Sequence, residues 1–166
     1  MGESVETLAD LLRPGLRAVC VGINPAPSSV AAGHYYQGSL GQGFFRRLRL
    51  AGILSPRSGW EDDLAFENGV GFTDIVKRPT GSAKEIRLEE FQYGRPLLAS
   101  KLEPLGASLI IFTFKAAAER YFGPLEGNGL MIGKNISGAK VFVMPGPYAR
   151  ADLVRQRMHD LRQFAT

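Results

Sequence analysis

In the stretch GINPAPSSVAAGHYYQG, Gly22 to Gly38, an asparagine, two prolines, two serines, a histidine and two tyrosines follow directly on the apolar run AVCV. Phosphate-binding loops occupy the same place between a strand and a helix, but they rely on glycines at fixed spacing and often a lysine. This set of groups describes different chemistry. The amide of Asn24 is a poor nucleophile and a poor base, yet it donates and accepts hydrogen bonds at once and so can position a water molecule. Pro25 biases Asn24 away from helical geometry and helps fix the direction of its side chain. Tyr35 and Tyr36 offer aromatic faces on which a planar heterocycle can stack. Beside basic clusters, such a loop suits a flipped nucleotide held in a pocket.

The elements that must position these residues follow from hydrophobic periodicity. Leu16 to Ile23, LRAVCVGI, reads as a buried strand whose end delivers the loop. Further buried strands are expected at Ala107 to Thr113 and Gly138 to Met144. Helices are expected at Glu6 to Leu12, Ser39 to Leu54, Ile86 to Leu105, Lys115 to Phe122 and Ala151 to Phe164. Gly94 and Pro96 predict a kink or two shorter helices in the third of these. Leu64 to Thr73 is ambiguous between strand and helix. Strands alternating with helices imply an α/β fold, a three-layer αβα sandwich around a central, mostly parallel sheet. Ligands of such sheets bind at the carboxyl ends of the strands. Two loops of unusual content leave those ends, GINPAPSS and MPGPYAR.

The 166 residues are 45% hydrophobic and 22% charged, ordinary values for a globular chain, and read as one domain over 1–166. No apolar run approaches the ~20 residues that span a bilayer, so no membrane partner is expected. The N-terminal MGESVETLADLL is acidic and amphipathic, unlike a signal peptide, and Glu6 stands where a myristoylation signal needs Ser or Thr. A cytoplasmic location is the expectation, at the nucleoid if the source is bacterial. Cys20, the single cysteine, lies in an apolar run and reads as core filler. With only His34 and His159 beside it, neither a metal site nor a cofactor is expected. The net charge is +4, and the distribution says more than the sum. Arg46, Arg47, Arg49 and Arg57 occur in a stretch without acids. A second cluster holds Lys77, Arg78, Lys84 and Arg87, and a third Arg150, Arg155, Arg157 and Arg162. Separated basic clusters suit a polyanion such as nucleic acid, although charge alone reads first as a solvated, mildly basic surface.

GINPAPSSVAAGHYYQG resembles the first active-site motif of the mismatch-specific uracil and thymine DNA glycosylases, members of the uracil-DNA glycosylase superfamily. The likeness continues in order through FFRRLRLAGIL, GFTDIVKRPTGSAKEI, EEFQYGRPLLASKLEPL and VMPGPYARAD, nearly the whole chain. It implies a monofunctional glycosylase that flips uracil, with thymine and other damaged bases as further candidates, out of mismatched double-stranded DNA and hydrolyses its N-glycosidic bond. It also implies initiation of base excision repair, no cofactor, and a monomer. By the same resemblance, Asn24 holds the attacking water. Ile23 and Tyr36 offer backbone groups to the base, the Tyr36 ring stacks on it, and Ser29 touches the base or a phosphate. Met144, Pro145, Gly146, Tyr148 and Arg150 form the DNA-contacting loop, with Tyr148 and Arg150 at the two positions from which a side chain wedges into the duplex. Asp74 stands where related sequences carry Lys or Asn, and a carboxylate there would assist Asn24 in catalysis. Ala26 replaces a glycine, and Pro147 removes a backbone donor from the second loop.

Plainer roles stand beside these. Asn24 and Asp74 also fit turn caps, one of the two tyrosines fits the core, and His34 fits a hydrogen-bonded loop residue better than a base. Arg46, Arg47 and Arg49 equally suit a solvated helix face, and Trp60, Phe66 and Phe72 the core. Two other functions remain compatible: a non-catalytic lesion-binding protein with an altered second loop, and a nucleotide or nucleoside hydrolase using the same pocket.

Overall fold

The computed structural model describes residues 4–55 and 58–164, so Arg57 of the first basic cluster lies outside the described residues. The expected apolar runs form three strands, β1 (Ala18–Gly22), β3 (Leu109–Phe112) and β5 (Ala139–Val143). The ambiguous stretch divides into the end of helix α3 (Glu61–Glu67) and strand β2 (Val70–Asp74). A fifth strand, β4 (Gly129–Ile136), completes a sheet of order β2-β1-β3-β5-β4. β1, β2, β3 and β5 run parallel, and β4 is antiparallel to β5.

Alternation along the strands sends side chains to opposite faces. Ala18, Cys20, Leu109, Ile111, Phe142 and Met144 face one core with Phe44, Phe45 and Leu48 of α2 (Ser39–Leu50) and Met158 and Leu161 of α6 (Ala151–Phe164). Val19, Val21, Ile110, Phe112, Val141 and Val143 face the other. They meet Phe91, Leu98 and Leu102 of α4 (Leu88–Leu102) and Ala117 and Ala118 of α5 (Lys115–Phe122). Helices therefore cover both faces, the expected αβα arrangement. Cys20 is buried in the first core, where desolvation pushes its thiol pKa far up.

Several sequence expectations change. Residues 6–12 form no helix; Leu11 instead makes an antiparallel bridge to Phe72, exchanging two backbone hydrogen bonds of 3.0 Å. β2 is an edge strand whose outer backbone groups need partners, and covering them outweighs the amphipathic helical pattern. Leu8 still buries its side chain, and Asp10 accepts from Thr73, Lys77 and Lys101. α4 runs as one helix through Pro96, followed by a 3₁₀ turn at Glu103–Leu105. Gly94 on α4 allows close approach to the chain leaving β2, since a Cβ there would lie 2.1 Å from the Ile75 carbonyl oxygen. No apolar run marks β4, because its central residues are exposed and glycine-interrupted. A two-residue turn at Ser137 and Gly138, both at positive φ, joins it to β5. Trp60 is half exposed rather than core, whereas Phe72 is fully buried.

Candidate active site

Parallel register brings the carboxyl ends of four strands to one edge: Gly22 pairs with Asp74, Val21 with Phe112, and Phe112 with Val143. The chain leaves β1 toward β2 on one side and, after crossing back, leaves β3 toward β5 on the other, so the ends of β1 and β3 flank a switch point of the sheet. A cavity of about 480 Å³ opens there. The β1 loop contributes Ile23, Asn24, Ser29 and Tyr36, β2 contributes Asp74, and Pro147 of the MPGPYAR loop also lines it. A larger cavity of about 630 Å³ lies between the end of β2 and α4; it shares Asp74 but contains neither Asn24 nor Tyr36.

Asn24 is held by the segment after β2. Its amide nitrogen donates to the Arg78 carbonyl at 3.0 Å, to Thr80 Oγ1 at 2.8 Å and more weakly to the Pro25 carbonyl at 3.3 Å. Because the Arg78 carbonyl can only accept, the NH₂ group must point there. Among the described residues no donor reaches Oδ1, which is left to accept from a water or substrate. The amide is thus an oriented acceptor rather than a turn cap.

Arg78 is itself anchored. Its guanidinium donates to both carboxylate oxygens of Glu90 on α4 at 2.7 and 2.8 Å, and the Arg87 backbone N–H adds a third bond at 2.9 Å. The Arg78 fork, working against the burial of the group, holds the Glu90 carboxyl at a pKa of about 2. A depressed carboxyl contributes stability above its unfolded pKa near 4.5 and loses it as pH falls toward 2. Glu90→Gln is therefore expected to destabilise the fold by about 3 kcal/mol at pH 7 and by progressively less below pH 4, measured by urea unfolding. A constant difference across that range would show that the pair does not carry the effect.

Asp74 ends β2 with 2% of its surface exposed. Among the described residues neither of its carboxylate oxygens has a hydrogen-bond partner, and the buried Tyr36 hydroxyl is in the same position. Such a group is not a cap. Burial pushes the Asp74 pKa up to about 7; Lys77 opposes this, Asp10 adds to it, and Lys101 opposes it. Near neutrality Asp74 is poised to exchange a proton. Gly22 makes the floor possible: a Cβ there would sit 2.2 Å from Asp74 Oδ1 and 3.3 Å from the Tyr36 hydroxyl.

Tyr36 adopts φ +58°, unusual for a non-glycine residue, and its ring is boxed by Tyr35, Phe44, Phe45 and Phe72 while also lining the cavity. Tyr35 is the core member of the pair. It lies buried, with its hydroxyl donating to the Ala9 carbonyl and its backbone N–H to Asp62 Oδ2 at 2.7 Å. His34 stacks on Trp60, with ring centroids 4.1 Å apart, and its Nδ1 lies 3.0 Å from Asp62 Oδ1, a loop-building role outside the cavity. His34, Asp62 and Asp63 are also close enough to share a cation, although both Asp62 oxygens already serve the loop. The hydroxyl of Ser29 is buried and accepts from the Gln37 backbone N–H at 3.0 Å, so it braces the loop as well as lining the cavity. Ala26, at φ −79° and ψ 150°, needs no glycine, and as the residue before α1 (Pro27–Ala32) it leaves the loop unstrained.

The second loop corrects part of the expected DNA-contacting set. Met144 belongs to the core and Pro145 is buried, because the chain is still leaving β5 at this point; neither side chain reaches outward. Gly146 is half-buried. Tyr148 is 93% exposed, whereas Arg150 is exposed but engaged in a two-pronged ion pair with Asp152. Arg47 of α2 donates to the Pro145 and Gly146 carbonyls, the latter at 2.8 Å. It therefore clamps the loop rather than standing on a solvated face. No local signal in the sequence points to Arg47, Arg78, Thr80 and Glu90 as the groups that hold the two loops; RPT lies within a recognisable segment, but nothing local links it to Asn24.

The model of the uracil DNA glycosylase superfamily matches residues 9–162. The chain belongs to that superfamily. Its members are DNA glycosylases, hydrolases of the N-glycosidic bond that open base excision repair, and the substrate is accordingly DNA. The match spans every strand and helix that builds the cavity.

Proposed function

We propose that this superfamily member is a monofunctional, mismatch-type uracil glycosylase that acts as a monomer on double-stranded DNA. The observation that carries the reading is the fixed amide of Asn24, whose free Oδ1 borders the same cavity as the poised Asp74 carboxyl. Bond cleavage spreads positive charge over the sugar and negative charge over the departing base. Asn24 Oδ1 accepts from the attacking water and directs its lone pair to the anomeric carbon. Ionised Asp74 receives the water's proton and stabilises the sugar cation. Backbone groups at Ile23 and Tyr36 meet the base edge, and the Tyr36 ring packs against the base, an interaction worth roughly 1–3 kcal/mol. Extrusion costs a few kcal/mol and least at a mismatch, which favours mispaired uracil before chemistry begins. Uracil leaves as a stabilised anion, and Asp74 extends the range toward poorer leaving groups such as thymine and hypoxanthine.

Tyr148 is the wedge in this reading, since it projects from the second loop without a competing ion pair. The test is single-turnover excision, followed by alkali, on uracil in single strands and in G:U and A:U pairs, and on G:T and hypoxanthine duplexes. G:U is expected to be cut fastest, with Tyr148→Ala slowing duplex substrates about tenfold and single strands little. Retardation of the duplex without strand breakage would favour a lesion-binding protein, and turnover of free nucleotides a nucleotide hydrolase.

A further inference from the structure

Three buried polar atoms without hydrogen-bond partners among the described residues gather beneath the cavity: both oxygens of Asp74 and the Tyr36 hydroxyl. They converge on the space left by the missing side chain of Gly22. An ionised carboxylate can only accept, and a neutral phenol brings one O–H donor. Burial foremost, and the Asp74 charge next, push the Tyr36 pKa far up, so the phenol keeps its proton throughout the working range. Among the described residues, several other side-chain donors nearby already have partners. Thr73 Oγ1, Lys77 Nζ and Lys101 Nζ all donate to Asp10. The Tyr35 hydroxyl donates to Ala9, and the Asn24 amide to Arg78 and Thr80.

We propose that, once Asp74 ionises, the Tyr36 hydroxyl turns its O–H to the carboxylate across the space at Gly22, a bond not made in this structure, which makes Tyr36 a positioning residue that sets when Asp74 can take the water's proton. This role is separate from stacking, which needs only the ring. It rests on the reading of Asp74 as proton acceptor. The titratable groups around the pair are Asp10 before β2's outer edge, Lys77 beyond β2, Lys101 on α4, Cys20 on β1, Tyr35, and Asp62 on α3. Of these the lysines favour the charged carboxylate and Asp10 opposes it. None of them replaces a direct donor.

Tyr36→Phe separates the two roles, because it keeps the ring and removes the donor. The Asp74 carboxyl is followed by ¹³C NMR against pH, its signal assigned by loss in Asp74→Asn, alongside the pH profile of single-turnover uracil excision. In Tyr36→Phe the carboxyl midpoint is expected to rise by about one pH unit. The acid limb of the rate profile should move with it, and affinity for uracil duplex should change less than twofold. Placing 3-fluorotyrosine at position 36, a more acidic phenol and stronger donor, should move both midpoints down. Unchanged carboxyl midpoints in both variants would overturn the proposal. A shifted carboxyl midpoint with an unmoved rate profile, or a wild-type protein that excises nothing, would retain the hydrogen bond and instead refute Asp74 as the proton acceptor.

Discussion

Asn24→Ala is expected to slow single-turnover base excision by about 10²- to 10³-fold, the usual effect of deleting one preorganised polar group aimed at a reacting centre. Binding of a uracil duplex should change little, because Oδ1 faces the water and not the DNA backbone. The structure adds a second expectation. Removing the amide also frees the Arg78 carbonyl and Thr80 Oγ1, two groups that now receive its hydrogen bonds. Asn24→Asp is therefore instructive: it restores an acceptor at Oδ1 but replaces the NH₂ donor with an oxygen facing the Arg78 carbonyl. Two like acceptors would then oppose each other, so Asp should rescue activity poorly despite its similar size. Full activity in Asn24→Ala would remove this residue from the reaction.

Asp74→Asn should lower the excision rate by about 10²-fold or more at pH 8, since a positioned base typically contributes at least that factor. The wild-type rate should rise with pH through about 7, where Asp74 ionises, and the variant's should not follow that limb. Stability should move the opposite way. A carboxyl whose pKa is raised on folding from 3.8 to about 7 contributes most stability below its unfolded value and loses it as pH rises through the folded one. Between pH 5 and pH 8 the wild type should thus lose roughly 2–3 kcal/mol relative to Asp74→Asn, read from urea unfolding at the two pH values. A variant that is less active yet relatively more stable at pH 8 would mark the buried charge as a functional cost of the kind active sites carry. A pH-independent stability difference would mean that Asp74 does not titrate in this window.

Several features of this molecule were legible from local pattern. Short runs of Val, Ile, Leu and Phe bounded by turn residues announced β1, β3 and β5, since strands buried on both faces read as continuous apolar segments. The period of α2, α5 and α6 was equally plain. The GINP loop stood out because its residue types suit a base pocket, and Asn24 could be singled out before any geometry was known. These signals are local: they depend on residues within one element and on the chemistry of single side chains.

What only the tertiary structure decided depends on distant parts of the chain. Residues 6–12 carry a helical pattern, yet the open edge of β2 recruits them as an extended cover. Nothing near Asn24 in sequence says that its NH₂ will be taken by residues 78 and 80, or that Glu90 on α4 will hold that segment in place. Arg47 looked like one more surface cation until the second loop folded against it. The burial of Asp74 is the sharpest case. A carboxylate at the end of a strand is ordinary in sequence, and only the folded chain buries it, against Gly22 and Tyr36. Residue type determined which groups were available; desolvation and long-range hydrogen bonds, which exist only in the folded chain, determined their protonation and aim.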